Sequence, residues 1–266
     1  MSRSHSQYFA VKTKALALIS LLSVSFLFAQ SPEQKGLDIA KKADLVDQGF
    51  ESSSSNLTMI LKNKQGQETK RFLENKTLEL TEDGDKSMIV FNSPKDVEGT
   101  ATLTFTHKEG PDDQWLYLPA LKRVKRISSS NKSGPFVGSE FAYEDLSSQE
   151  VEKYTYKFIE EKEGNLIVER YPLDVKSGYT KHVVAYNKDN YRIEKVDFYD
   201  RRGGFLKTLT YSGYNLYEDK HWRPDEMKMV NHITGKSTLL VFEDYKFKTG
   251  LEENDFSQNS LVRAGR

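Results

Sequence analysis

The sequence predicts a mainly β protein laid out as an antiparallel meander. Apolar residues recur at every second position from Leu57 onward, and the runs are separated by short stretches of turn chemistry. Only one stretch, near Ser31, carries the cap and the three-to-four spacing of a long amphipathic helix.

Residues 1–29 read as an export signal and residues 30–266 as a single domain. Arg3, Lys12 and Lys14 precede an apolar run from Ala15 to Phe28 that ends at Ala29, which places the mature N-terminus near Gln30. A spanning helix needs roughly 20 apolar residues, whereas this run is 14 long and is interrupted by Ser20, Ser23 and Ser25. Cleavage is therefore expected, followed by release into the periplasm.

The helix begins at Ser31-Pro32-Glu33-Gln34, where Ser31 can cap, Pro32 suits the first turn and Gln34 can complete a capping box. Ile39, Ala43 and Val46 give it an apolar side, and Gly49 can end it. Strand-like runs follow at Leu57 to Asn63, Glu68 to Leu80, Lys86 to Phe91, Ala101 to His107, Gln114 to Leu118 and Arg123 to Ile127. After a loop they resume at Lys153 to Glu160, Leu166 to Arg170, Tyr179 to Asn187, Tyr191 to Tyr199, Phe205 to Tyr211, Met227 to Ile233 and Ser237 to Tyr245. Turns such as Asp83-Gly84-Asp85 and Arg202-Gly203-Gly204 are too short for parallel crossovers, so neighbouring strands run antiparallel.

One face of the sheet is bulky and apolar. Tyr154, Tyr156 and Phe158 alternate with Thr155 and Lys157, and Phe205, Leu209 and Tyr211 with Thr208 and Thr210. So many strands curl or split, and one helix is little cover for them. A closed barrel or sandwich filled by its own side chains and a half-barrel with an open hollow both satisfy this periodicity.

Composition narrows the function. The 39 basic and 39 acidic residues cancel, and losing the three basic residues of the first 29 leaves −3, so nucleic acid is not an expected partner. With no cysteine there are no disulfides, thiolate metal sites or Cys nucleophiles, and no acylated cysteine to anchor the chain. His107, His182, His221 and His232 are scattered without metal-ligand spacing, and no nucleophile elbow or phosphate loop occurs, so neither metal nor cofactor is expected. The pairs Glu160-Glu161 and Glu252-Glu253 lie in charged, turn-like stretches and read as solvated charge rather than as hydrolase machinery.

Three motifs occur in order. Phe91-Asn92-Ser93-Pro94-Lys95-Asp96-Val97-Glu98-Gly99-Thr100 leads into a strand, Trp115 to Ile127 joins an apolar run to a basic one, and Gly138-Ser139-Glu140-Phe141-Ala142-Tyr143-Glu144-Asp145-Leu146 follows. Together they resemble the outer membrane lipoprotein-sorting proteins, relatives of the periplasmic lipoprotein carrier (LolA-like), over roughly Ala40 to the C-terminus. The resemblance implies a curved antiparallel sheet forming an incomplete barrel, with the N-terminal helix and short helices at its concave face. It also implies an apolar cavity that shields acyl chains of a lipid or lipoprotein in transit toward the outer membrane, in a monomer served by an inner-membrane exporter. It brings no catalytic residues.

The candidate ligand-binding residues are Trp115, Leu116, Tyr117 and Leu118 as a cavity wall, and Phe136, Val137, Phe141 and Tyr143 as a lid. All four residues from Trp115 to Leu118 are large and apolar, so a core strand covered on both sides explains them equally well. Lys122, Arg123, Lys125 and Arg126 are candidates for contact with an anionic head group, against the plainer reading of a solvated edge. Ser128 to Glu140, rich in Ser and Gly, reads as a long loop that either closes the cavity or docks passively. The acidic Glu144 and Asp145 are expected to pair with the preceding basic run. The alternatives to a carrier are a non-carrying adaptor of a lipid exporter and, less favoured, a hydrolase.

Overall fold

The computed structural model describes residues 30–266, so the export segment expected over residues 1–29 lies outside the described residues. Helix α1 (Pro32–Asp47) starts as the sequence predicts, with the Ser31 side chain accepting a hydrogen bond from the Gln34 amide at 3.1 Å. The expected capping box is half made, because the Gln34 side chain donates to Asp38 instead. Gly36, Ile39 and Ala40 face inward, whereas Val46, expected on the apolar side, is exposed. Gly36 sets the docking distance: a Cβ there would stand 2.8 Å from the backbone nitrogen of Phe158, so the helix seats where a side chain would not fit.

The strands are β1 (Ser52–Lys62), β2 (Glu68–Leu78), β3 (Lys86–Ser93), β4 (Ala101–Phe105), β5 (Asp113–Leu118), β6 (Arg123–Ile127) and β7 (Tyr154–Lys162). They continue as β8 (Asn165–Pro172), β9 (Tyr179–Asn187), β10 (Ile193–Asp200), β11 (Phe205–Tyr217), β12 (His221–Asn231) and β13 (Ser237–Phe247), before a short helix α2 (Gln258–Ala264). Each corresponds to one run read from the sequence, and β6 and β9 have the same bounds. Helix α2 was not foreseen; its signal is only the cap Ser257 and the adjacent Leu261 and Val262.

All thirteen described strands form one antiparallel sheet in the order β6-β5-β4-β3-β2-β1-β13-β12-β11-β10-β9-β8-β7. Every neighbour in space is a neighbour in sequence except β1 and β13, which join two meanders side by side. Consequently β6 and β7, consecutive in the chain, end at opposite edges, and the sheet does not close into a barrel. The segment between them, residues 128–153, must cross the opening.

Alternation divides the apolar residues between two faces. The inner cluster joins Ile39 and Ala40 of α1 to Leu57, Met59, Leu73, Phe91, Val184, Leu209, Met229 and Leu240 of the sheet and to Phe136 and Phe141 of the crossing loop. The outer cluster gathers Met88, Val90, Ala101, Leu103 and Tyr117 under Phe256 and Leu261. Of the two helices, α1 belongs to the inner cluster and α2 covers the outer one.

Candidate functional site

The inner face is covered by α1 and by the irregular loop of residues 128–153. Phe136 and Phe141 are each 1% exposed. The Phe136 ring lies 5.6 Å from Phe91 and 5.7 Å, edge-on, from Tyr143. A bridge between Pro135 and Ala142 folds this stretch into a small hairpin. At its tip Val137 has φ of 44°, a left-handed conformation that strains a β-branched residue.

Polar groups of the sheet hold this hairpin by its backbone. Arg71 on β2 donates to the Val137 carbonyl, Gln114 on β5 to the Tyr143 carbonyl at 2.9 Å, and Lys207 on β11 to the Glu140 carbonyl at 2.9 Å. Thr238 on β13 accepts from the Glu140 amide at 3.0 Å, and Asn231 on β12 donates to the Glu140 carboxylate at 2.7 Å. Strands from both meanders therefore reach one loop, which means that the sheet wraps around it.

Asp145 is the deepest anchor. It meets Lys207 at 2.6 Å, accepts from Tyr179 Oη at 2.8 Å and takes the Ala142 amide at 2.7 Å, with both charged side chains at most 5% exposed. Burial, followed by the charges of Asp145 and Glu144, pushes the Tyr179 hydroxyl well above its ordinary pKa, so it stays a donor. Glu144 accepts from the Gly178 amide and Ser177 Oγ, and burial raises its pKa. The expected pairing of these acids with the basic run is thus corrected: their partners lie on β9, on β11 and in the loop before β9, because the hairpin folds inward, away from β6.

A cavity of about 610 Å³ opens beside the loop, between the β4–β5 turn, residues 144–154 and the β8–β9 connection. Ion pairs of Lys153 with Asp112 and of Lys132 with Asp174, the latter at 2.6 Å, fasten its rim. Its deep wall includes Tyr154, Tyr179 and His182. Behind His182 the buried Arg170 donates through Nε to His182 Nδ1 at 3.0 Å and through Nη2 to Gln149 at 3.3 Å. Burial, reinforced by Arg170 and Lys207, drives the His182 pKa well below its ordinary value. Burial also pushes the Tyr154 hydroxyl up to about 12. Among the described residues no three His, Asp or Glu side chains are placed to hold a metal ion.

The structure brings some sequence candidates together and separates others. Phe136, Val137, Phe141 and Tyr143 all join the inner cluster. The row Trp115 to Leu118 is divided by its own alternation. Gln114 bonds to the loop, and Leu116, two residues on, shares that inner side, whereas Trp115 and Tyr117 pack in the outer cluster, Trp115 edge-on to Phe105 at 5.0 Å. The four therefore do not form one wall, and the strand is covered on both sides. Lys122, Arg123, Lys125 and Arg126 are exposed on or beside β6, a free edge, and Arg126 pairs with Asp113. Glu161 and Glu253 pair with Lys188 and Lys86.

Sequence reading passed over Arg71, Gln114, Arg170 and Lys207, and weighed His182 only as one of four scattered histidines. Each stands two residues from a buried apolar residue of its own strand, in line with Leu73, Leu116, Val168, Leu209 and Val184 respectively. A polar residue at inward parity was the available signal.

Comparison with known proteins gives this arrangement a family. A family model described as "Uncharacterized protein" matches residues 83–263. The structure described as an outer membrane lipoprotein-sorting protein domain from Vibrio parahaemolyticus is 54% identical over 87% of this chain and all of that one, with a TM-score of 0.84. The chain belongs to the outer membrane lipoprotein-sorting family. A DUF1329 family protein from Desulfovibrio piger is 28% identical over the same shares, with a TM-score of 0.81. A LolA superfamily protein from Nitrosomonas europaea, 20% identical with a TM-score of 0.68, shares the fold of this chain. No curated protein matches the chain. The incomplete barrel implied by the sequence motifs is thus the fold of this family.

Proposed function

We propose that this protein is an exported carrier that shelters acyl chains of a lipid or lipoprotein against the inner face of its sheet, for transfer toward the outer membrane. The observation that carries the reading is the cover of that face: an irregular hairpin seated by Phe136 and Phe141 and secured by hydrogen bonds to its backbone. Lifting it exposes an apolar row that includes Leu73, Phe91, Met59 and Leu240. Such a surface holds acyl chains at about 25 cal/mol per Å² removed from water. Polar anchors can re-form with water when the hairpin leaves, which favours repeated opening. The strained Val137, held by Arg71, makes the tip the natural place for release to begin.

In this reading the chain works in the periplasm as a monomer, without a lipid anchor and without catalysis, and the basic edge around Arg123 meets an anionic membrane surface. The description of the Vibrio relative as a sorting domain supports the same class. One observation favours the adaptor instead: Phe136 and Phe141 fill the hollow. A fluorescent acyl probe added to the full chain separates the two. Saturable binding, with uptake several-fold faster in Arg71→Ala, is the carrier's outcome. A wild type that binds no acyl probe overturns the carrier and leaves the adaptor of an inner-membrane exporter.

A further inference from the structure

We propose that the β8–β9 connection, residues 173–178, is a docking tip for an anionic lipid bilayer, with Leu173 and Val175 entering the interface and Lys176, Arg201 and Arg202 meeting the head groups. The proposal goes beyond the carrier reading and does not require it, since a chain can dock on a bilayer whether or not it takes up an acyl chain.

The first ground is exposure. Val175 is 94% exposed, more than any other large apolar side chain among the described residues, and Leu173, two positions before it, is 57% exposed. Turn positions ordinarily hold glycine or polar residues. A single exposed apolar side chain needs no explanation, but here two project from one short connection.

The second ground is the bracing that holds them out. Asp174 opens a turn closed by the Ser177 amide, which donates to the Asp174 carbonyl at 2.9 Å. The Asp174 carboxylate accepts from the Lys176 amide at 2.8 Å and pairs with Lys132 at 2.6 Å. Arg201, in the turn between β10 and β11, donates to the carbonyls of Lys176 at 2.6 Å and Ser177 at 2.8 Å. The Leu173 amide donates to the Lys153 carbonyl at 2.9 Å. Backbone groups satisfied within the protein let the tip leave water without stranding a polar atom.

The third ground is charge. Arg201 and Arg202 line a shallow depression with Ser133, Gly178 and Asp200 at the foot of the connection. Asp174 is answered by Lys132, and the Asp200 carboxylate accepts from the Arg202 and Gly204 amides. Lys176, Arg201 and Arg202 form no ion pair among the described residues, so their charge is free to meet an anionic surface. Apolar side chains ringed by basic ones are the pattern of an interfacial anchor.

The connection also borders the cavity, which Leu173 and Lys176 line and whose deep wall reaches Tyr154 and Tyr179 of the inner cluster. A bilayer that takes up Val175 therefore lies beside the cavity mouth. Asp112, Asp145 and Asp174 along that mouth are paired with Lys153, Lys207 and Lys132, which spares the surface their repulsion.

The test uses the chain from Gln30, which holds every described element of the fold. It has no cysteine, so Val175→Cys carries a single environment-sensitive dye. With vesicles of phosphatidylethanolamine and phosphatidylglycerol the emission should shift to the blue, and the shift should shrink as salt is raised. The same dye at Ile233→Cys, an exposed apolar position in the turn between β12 and β13, should not respond. In vesicle flotation of the unlabelled chain, Leu173→Ser with Val175→Ser should weaken partitioning by about tenfold. No shift at position 175, an equal shift at 233, or equal flotation of the double variant overturns the proposal. So does a shift that grows with protein concentration in buffer alone, which would seat a second copy on the tip. Acyl-probe binding by the wild type is scored separately: docking without probe binding removes the carrier reading alone, and probe binding without docking removes this proposal alone.

Discussion

On the outer face, α2 and the residues leading into it lay Phe256 and Leu261 onto Leu103 and Tyr117, and the contact is made by apolar area. On the inner face, residues 128–153 use two phenylalanines as wedges but take their position from Arg71, Gln114, Lys207, Asn231 and Thr238. The outer cover rests mainly on hydrophobic side chains, with the Lys86–Glu253 ion pair and the close fit of Gly265 against Gly99 and Tyr117 as its few fixed points. The inner cover needs specific partners at fixed points, since an irregular backbone must find an acceptor or donor for each buried group. Cover held by area is generic and hard to detach in parts. Cover held by directional bonds is specific and can be released at a single point.

Three measurements sharpen or break this contrast. The largest effect is expected at the inner anchor. Asp145→Ala leaves Lys207 buried without its counter-charge and the Tyr179 hydroxyl without an acceptor, and denaturant unfolding should show a loss of about 3–5 kcal/mol. A loss below about 1 kcal/mol would mean that the hairpin is not held by this pair. Next, Leu261→Ala removes a fully buried side chain of the outer cover and should cost about 3 kcal/mol through its cavity. Uptake of the acyl probe should stay unchanged in that variant. If uptake changes, the two faces are coupled and the contrast fails.

The smallest effect is a pH dependence confined to the inner cover. Asp85, to which Ser148 of the loop donates at 3.2 Å, has its pKa raised to about 6 by burial, and Glu150 is raised to about 7 by burial and then by the charge of Asp85. Both acids hold their protons more tightly in the folded state than in the unfolded one, so their stabilising contribution is complete below about pH 4 and is lost as pH rises toward 7. Unfolding free energy should fall across that window and level off above it. Asp85→Asn should flatten the profile, and an unchanged profile in that variant would assign the dependence elsewhere.

The difference between the faces also explains what could be read beforehand. Strand alternation is a local property, so thirteen runs were visible and Arg123 to Ile127 and Tyr179 to Asn187 needed no correction. Trp115 and Tyr117 were misleading because an all-apolar strand gives no parity signal, and only the arrival of α2 decides which side they cover. A lysine taken in isolation belongs at the surface, so Lys207 gave no sign on its own. Its position in one row with Leu209 and Tyr211 was the sign that it faces inward, but the partner that justifies it, Asp145, is 62 residues away in sequence. The anchors of the hairpin and the pairing of Arg170 with His182 belong to the same class.

The sequence by itself determined the antiparallel meander, the capped helix after Ser31 and the family, because periodicity, caps and contiguous motifs are written along the chain. Tertiary structure alone decided that β1 pairs with β13, that β6 and β7 become the two free edges, and that the chain between them turns inward as a cover. Those outcomes depend on contacts between residues far apart in sequence, where the energy of a polar group is set by whether a partner meets it after folding. The same dependence leaves His182 Nε2 buried without a partner once Arg170 has taken the other nitrogen.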